Sequence, residues 1–333
     1  MIISQRQPDG PVLEARDLYV GFGGRRAAPD VRAVDGVELA VEKGQIVALA
    51  GESGCGKTTL ARTLMGLERP YRGQVHHHGV PLDYRGRALK AYRRKVQLVL
   101  QDPTGALNPR RTVYEAVAEG LRIHRVPGDE KIQVAEALSL AGLRPPERFF
   151  ARYPHELSGG QRQRVVIAGA LALKPEVIVA DEPVSSLDAS VRGEILALLL
   201  SLRDELGLTV LVVTHDLGLA WNISDRLAVM YLGRIVESGP TEEVLAAPRH
   251  PYTAALLSVL PETQHVEPVI LKGETPDPRR IPVGCRFNPR CPALADGTAG
   301  AAGVATRCVS QELPILPATT THEAACLLAG WGG

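Results

Sequence analysis

No run of about 18 apolar residues occurs anywhere in the 333-residue chain, which removes any expectation of a membrane-spanning helix. The richest apolar stretch, residues 195–202, places Ile195, Leu199, Leu202 and Leu206 on one helical face with Gly207 as a stop, the pattern of a core helix. The first residues lack a charged segment followed by an apolar core and a small-residue cleavage site, so the expected location is cytosolic. Neither sign of charge dominates: 38 Lys and Arg against 37 Asp and Glu give a formal net charge of +1, which argues against a nucleic-acid binder held by bulk electrostatics. Cysteine is scarce, with Cys55 standing alone before the last fifth of the chain, and a cytosolic location disfavours disulfides. What remains is ordinary globular composition, 45% hydrophobic and 23% charged, with enough length for one large core and an appendage.

Against that background Gly51-Glu52-Ser53-Gly54-Cys55-Gly56-Lys57-Thr58 stands out. It lies where an apolar strand (residues 45–50) runs into a helix that begins near Lys57. The glycines allow backbone N–H groups to turn inward around a polyphosphate, Lys57 neutralises the outer phosphates, and the Thr58 hydroxyl suits a magnesium ion. Cys55 sits near a helix N-terminus, where a thiolate is favoured, and reads as filler with a risk of modification.

Two further motifs follow. Leu157-Ser158-Gly159-Gly160-Gln161-Arg-Gln-Arg164 opens a helix, and Val177-Ile-Val-Ala-Asp181-Glu182 is a buried-strand run that ends in adjacent carboxylates. Asp181 at the strand edge can serve a magnesium shell, and Glu182 can polarise the water that attacks a terminal phosphate. With Gln101, the run Ser185-Ser186-Leu187-Asp188 and His215 in Thr214-His-Asp216, these segments resemble in order the motifs of ABC transporter ATP-binding subunits. Gln101-Asp-Pro with Leu107-Asn-Pro-Arg110, Tyr153-Pro-His-Glu, Asp181-Glu-Pro-Val-Ser-Ser-Leu-Asp and His250-Pro-Tyr-Thr-Ala-Ala-Leu-Leu257 narrow the resemblance to dipeptide and oligopeptide importer ATPases, over residues 13–328. The Pro-Val-Ser-Ser form is more similar to the F-type of the two ATPases such importers pair.

The resemblance implies an α/β P-loop fold: an ABC nucleotide-binding domain with a RecA-like parallel-sheet core, an antiparallel β subdomain and a helical subdomain, plus a small Cys-containing C-terminal domain. It implies ATP and Mg2+ as cofactors. Residues 51–58 with Thr59 would hold the nucleotide, and Phe22 would stack on adenine. Thr58, Gln101 and Asp181 would serve magnesium, Glu182 the water, and His215 the γ-phosphate. Ser158, Gly159, Gly160 and Gln161 would complete the ATP site of a second ATPase subunit, with residues 185–188 as the D-loop. One departure is visible: Gly169 stands where the family pattern has Arg, and glycine inside a helix costs about 1 kcal/mol relative to Ala.

Along the chain the expected divisions are a disordered tail (residues 1–10), the nucleotide-binding domain (11–240, helical subdomain about 102–160) and an extension (241–333) in which residues 293–305 read as a flexible Ala/Gly-rich insert. His76-His77-His78 reads as a solvated turn, because neighbouring strand residues point to opposite faces and cannot converge on one ion. In the extension Cys285, Cys291, Cys308 and Cys326 are separated by five, sixteen and seventeen residues, without the Cys-x-x-Cys pairs of most zinc ribbons. The resemblance implies a [4Fe-4S] cluster on these four, with Zn2+ or four unligated thiols as the other readings.

The function so implied is ATP hydrolysis that drives peptide import through two permease subunits at the cytoplasmic face of the membrane, with an external solute-binding protein and without nucleic acid. An ATPase of a nickel or other small-solute importer is the alternative, and a soluble ABC ATPase of DNA repair or translation the remote one.

Overall fold

A computed structural model describes residues 10–24, 29–185, 187–260 and 267–329. Ser186 and nearly all of the expected N-terminal tail lie outside the described residues. In chain order the strands are β1 (Leu13–Phe22), β2 (Val31–Val41), β3 (Ile46–Ala50), β4 (Arg72–His77), β5 (Val80–Pro81), β6 (Val96–Val99), β7 (Val177–Asp181), β8 (Thr209–Thr214), β9 (Arg226–Tyr231), β10 (Arg234–Pro240) and β11 (Glu323–Ala324).

The chain forms two compact units. One comprises residues 42–46 and 82–213. Its strands β6, β7 and β8 pair in parallel, with Val179 opposite Leu98 and Leu211. Every residue of β8 is buried, as expected for parallel strands covered on both faces. Three of the helices here begin on side-chain caps. Thr112 and Glu115 form a reciprocal capping box at Val113–His124, Asp129 caps Glu130–Leu140, and Ser158 with Gln161 boxes the start of Gly159–Leu171. These three helices bury Val117, Leu121, Val134, Leu138, Val165 and Ile167, each apolar side chain contributing about 1.5–3 kcal/mol.

The helix Ala189–Leu206 buries Ile195, Leu198, Leu199 and Leu202, but Leu206 is half exposed, contrary to the sequence reading. It is the last helical residue before left-handed Gly207, and the helix there has run past the core.

The second unit comprises residues 11–41, 47–81 and 214–333. Its antiparallel sheet has the order β2-β1-β4-β5. β4 lies between β1 and β5, so His76 is buried, its ring nitrogens bonded to the Gly79 carbonyl and the Gln74 side chain. The solvated turn expected over three histidines is confined to His78 and Gly79, both at positive φ. β3 pairs in parallel with β9, and β9 continues antiparallel through β10 to β11.

Residues 293–305 are not a structureless insert. Short helices form at Pro292–Ala295, Thr298–Ala301 and Ala305–Ser310, with Ala293 and Ala299 buried. Alanine is the strongest helix former and fits where larger side chains would not, while Gly297 and Gly303 supply the left-handed turns between the helices.

Candidate functional site

In the second unit β3 ends in the glycine loop and the helix Lys57–Leu64 begins. The loop needs its glycines. A Cβ on Gly51, at φ +149, would fall 2.2 Å from the Met230 carbonyl oxygen, and one on Gly56, at φ +110, would fall 2.1 Å from that of Ala33. Lys57 is buried, and its Nζ donates to the carbonyls of Gly51 and Glu52 at 2.7 and 2.8 Å. Ser53, Gly54 and Thr58 face solvent. Cys55 is buried, and burial pushes its thiol up despite the nearby Lys57, so the thiolate allowed for in the sequence is disfavoured. Phe22 closes β1 and is partly exposed, whereas Tyr19 lies against Tyr71 and under the Arg72 guanidinium. His215 is exposed after β8, and Asp216 caps the next helix by accepting from the Leu219 N–H at 3.2 Å.

Sequence reasoning missed what surrounds Glu52. Its carboxylate accepts both guanidinium arms of Arg290, at 2.7 and 3.1 Å, and the Thr275 hydroxyl at 3.0 Å. Its backbone N–H donates to the Tyr252 hydroxyl at 2.8 Å. Burial alone would raise the Glu52 carboxyl, but Arg290 overrides it and holds the group below its ordinary range. Arg290 is shielded from solvent, and Phe287 one turn earlier packs on Tyr231, Tyr252 and His250 at 5.2, 5.3 and 5.6 Å between ring centres. Tyr252 belongs to the His250-Pro-Tyr motif, which was the available signal, yet a contact 238 residues distant has no local sequence pattern.

In the first unit Asp181 ends β7 and Glu182 follows at φ +47, a left-handed conformation that costs a non-glycine residue about 1 kcal/mol. The Glu182 N–H is fixed by the Val213 carbonyl at 2.9 Å, and its Oε2 accepts from Gln101 Nε2 at 2.9 Å. The residues expected as the D-loop follow directly. Ser185 Oγ donates to the Glu182 carbonyl at 3.2 Å, the buried Leu187 accepts at its carbonyl from Arg192 Nε, and Asp188 precedes the helix Ala189–Leu206. Ser158 Oγ accepts from the Gln161 N–H at 3.2 Å and is exposed, so its own proton remains available for donation. Gly160 is required there, because a Cβ would lie 2.6 Å from Val191.

Cys285, Cys291, Cys308 and Cys326 all line one small cavity with His250, Phe287, Leu294 and Leu328. Their sulfurs form no disulfide. Burial pushes Cys285 up to about 12 and Cys326 to about 11, and the nearby cysteines add to the effect. His250 also bears on this cavity. Its Nδ1 accepts from the Tyr252 N–H at 3.1 Å, so the neutral ring carries its proton on Nε2, which is buried without a partner. The four cysteines supply soft donors around one cavity, the chemistry a thiolate-bound metal or cluster would use, but no three of their sulfurs lie within 4.8 Å of one another.

A phosphate cradle whose lysine helix follows a buried strand, together with a strand-end carboxylate bonded to a glutamine and a Ser-Gly-Gly helix start, describes an ATP-hydrolysing P-loop cassette of the ABC class. The sequence profile of the ABC transporter family matches residues 34–185, and that of the oligopeptide/dipeptide transporter C-terminal region matches residues 236–297. The chain belongs to the dipeptide and oligopeptide transport ATP-binding proteins. It is 43% identical to the oligopeptide transport ATP-binding protein AppF of Bacillus subtilis, over 84% of this chain and 89% of that protein. It is 45% identical to the dipeptide transport ATP-binding protein DppF of Haemophilus influenzae (84% and 88%) and 43% identical to DppF of Escherichia coli (84% and 86%). Among solved structures, cbiO1 of Clostridium perfringens, part of the ABC transporter complex cbiONQ, superposes with TM-score 0.65 at 30% identity, covering 72% of this chain and 92% of that one. The cassette MJ0796, solved as a dimer bound to ADP and Pi, gives 0.61 at 30% identity, covering 69% and 98%.

Proposed function

We propose that this chain hydrolyses ATP to energise the import of dipeptides or oligopeptides through a membrane ABC transporter. The observation that carries the reading is the pairing of an ABC cassette with a peptide-transporter C-terminal region on one chain, alongside relatives named for peptide transport. The chain acts peripherally at the cytoplasmic face of the membrane by docking on two permease subunits; no helix among the described residues is long and apolar enough to cross a membrane. An extracytoplasmic solute-binding protein delivers the peptide.

The functional divisions are the cassette (residues 11–240, helical subdomain about 102–160) and the extension (241–333). Residues 51–59 bind the nucleotide, with Lys57 and the loop amides other than that of Glu52 holding the phosphates, Lys57 exchanging its loop carbonyls for phosphate oxygens, while Phe22 stacks on adenine. Thr58, Gln101 and Asp181 serve Mg2+, Glu182 orients and deprotonates water, and His215 contacts the γ-phosphate. Ser158, Gly159, Gly160 and Gln161 complete the ATP site of a second ATPase subunit, as the dimeric solved cassette supports, and the D-loop accompanies them.

The four cysteines hold a [4Fe-4S] cluster, with Zn2+ the alternative. Such a group cross-links an extension too small to build a large core of its own. Anaerobic purification with iron, sulfide and zinc analysis separates the two, and Cys285→Ser should lose whichever is present. For the transport function, anaerobic affinity purification from detergent-solubilised membranes should recover two permeases, a second ATPase and a peptide-type solute-binding protein. Recovery of soluble partners alone contradicts it.

A further inference from the structure

We infer that Arg290 and Tyr252, both in the C-terminal extension, are positioning residues of the phosphate loop: Arg290 neutralises the Glu52 carboxylate where the nucleotide's phosphates bind, and Tyr252 fixes the loop backbone at the same residue. The inference rests on the reading of residues 51–58 as the ATP-binding loop.

A carboxylate inside a polyphosphate-binding loop is an electrostatic anomaly. Glu52 lies one residue after Gly51, and its carbonyl shares the Lys57 ammonium with that of Gly51. Left alone, its charge would oppose the anion that Lys57 and the loop amides attract. The structure answers with a bidentate guanidinium fork, the geometry in which Arg binds carboxylate most strongly, set in a largely desolvated position where solvent screening is weak. The Thr275 hydroxyl gives the carboxylate a third donor. Tyr252 acts differently. By accepting the Glu52 N–H it withdraws one amide from the set that can face phosphate and sets the direction in which the loop opens.

The fork itself is held from behind. Phe287 sits among Tyr231, Tyr252 and His250, and Arg286 forms a buried ion pair with Asp35 while donating to the Leu232 carbonyl at 2.6 Å. Residues 286–290 are thus anchored by contacts other than the Glu52 carboxylate. That makes Arg290 a fixed counter-charge and not a mobile surface side chain.

A charge role and a merely structural role give different results in a binding titration of the full chain with ATP and with AMP. Arg290→Gln should weaken ATP about tenfold or more and AMP by less than threefold, because the exposed carboxylate repels in proportion to phosphate charge. Glu52→Gln in the Arg290→Gln background should return ATP affinity to within about threefold of the parent chain. Tyr252→Phe should weaken ATP about fivefold, the worth of one hydrogen bond, and Glu52→Gln should not rescue it. If Arg290→Gln does not fold, Arg290→Lys, which keeps the charge and loses the fork, should give a smaller loss with the same ATP-over-AMP bias. Equal losses for ATP and AMP, a double variant as weak as Arg290→Gln, or no loss at all would overturn the inference. Lys57→Ala reports on the underlying reading: retained ATP binding there would remove the phosphate-loop assignment itself, whereas its loss beside an unaffected Arg290→Gln defeats only the role of Arg290.

Discussion

Gln101 and Glu182, 81 residues apart in sequence, are joined by a 2.9 Å hydrogen bond from the carboxamide Nε2 to the carboxylate Oε2. The bond links the loop after β6 to the end of β7, two strands that pair in parallel, so their C-terminal ends emerge side by side. Gln101 is therefore placed to orient the carboxylate proposed as the general base, in addition to the magnesium role proposed for it. Gln101→Ala should slow ATP hydrolysis about tenfold, the equivalent of one hydrogen bond to a charged group, with ATP affinity within about twofold of the parent in a binding titration.

Gly56 has φ +110, and an added Cβ would meet the Ala33 carbonyl oxygen at 2.1 Å. Gly56→Ala must therefore displace the loop from the adjoining strand. It should destabilise the protein by about 1–3 kcal/mol and abolish detectable ATP binding, as measured by thermal unfolding with and without nucleotide.

Burial depresses His250 from an ordinary value of 6.5 to about 3. An unfolded chain takes up a proton here as pH falls below about 6.5 while the folded chain does not, so the stability contributed by neutral His250 is complete above that pH and is lost on acidification, by about 2 kcal/mol at pH 5. Urea midpoints measured from pH 7.5 to 5 should fall more steeply for the parent than for His250→Asn, which keeps an acceptor for the Tyr252 N–H without the titration.

A Cβ on Gly169 would sit 3.9 Å from the Ala116 carbonyl oxygen, an ordinary contact. Gly169→Ala should therefore stabilise the protein by about 0.5–1 kcal/mol through helix propensity and leave ATP hydrolysis unchanged, in denaturant unfolding and steady-state assays.

The phosphate loop, the Ser-Gly-Gly helix start and the strand-end carboxylates were legible in the sequence because each is a pattern of a few consecutive residues. Element positions followed for the same local reason: the apolar runs ending at Ala50 and Asp181 form β3 and β7, and the Ser-Gly-Gly segment opens a helix. What escaped was set by distance. Arg290 reaches Glu52 across 238 residues, and β11 adds to β10 through only two register pairs. The Ala/Gly-rich run misled because low complexity is shared by flexible inserts and by small close-packed helices, and only its neighbours decide between them. Leu206 kept the helical period but lay where the core had ended.

The central claim, that Glu182 turns nucleotide binding into work, is tested most directly in proteoliposomes that hold the assembled transporter, by following ATP hydrolysis and peptide uptake together. Glu182→Gln in this subunit should keep ATP binding, abolish hydrolysis by this chain's site and lower uptake with it. Unchanged hydrolysis and uptake would contradict the account and remove Glu182 from the mechanism.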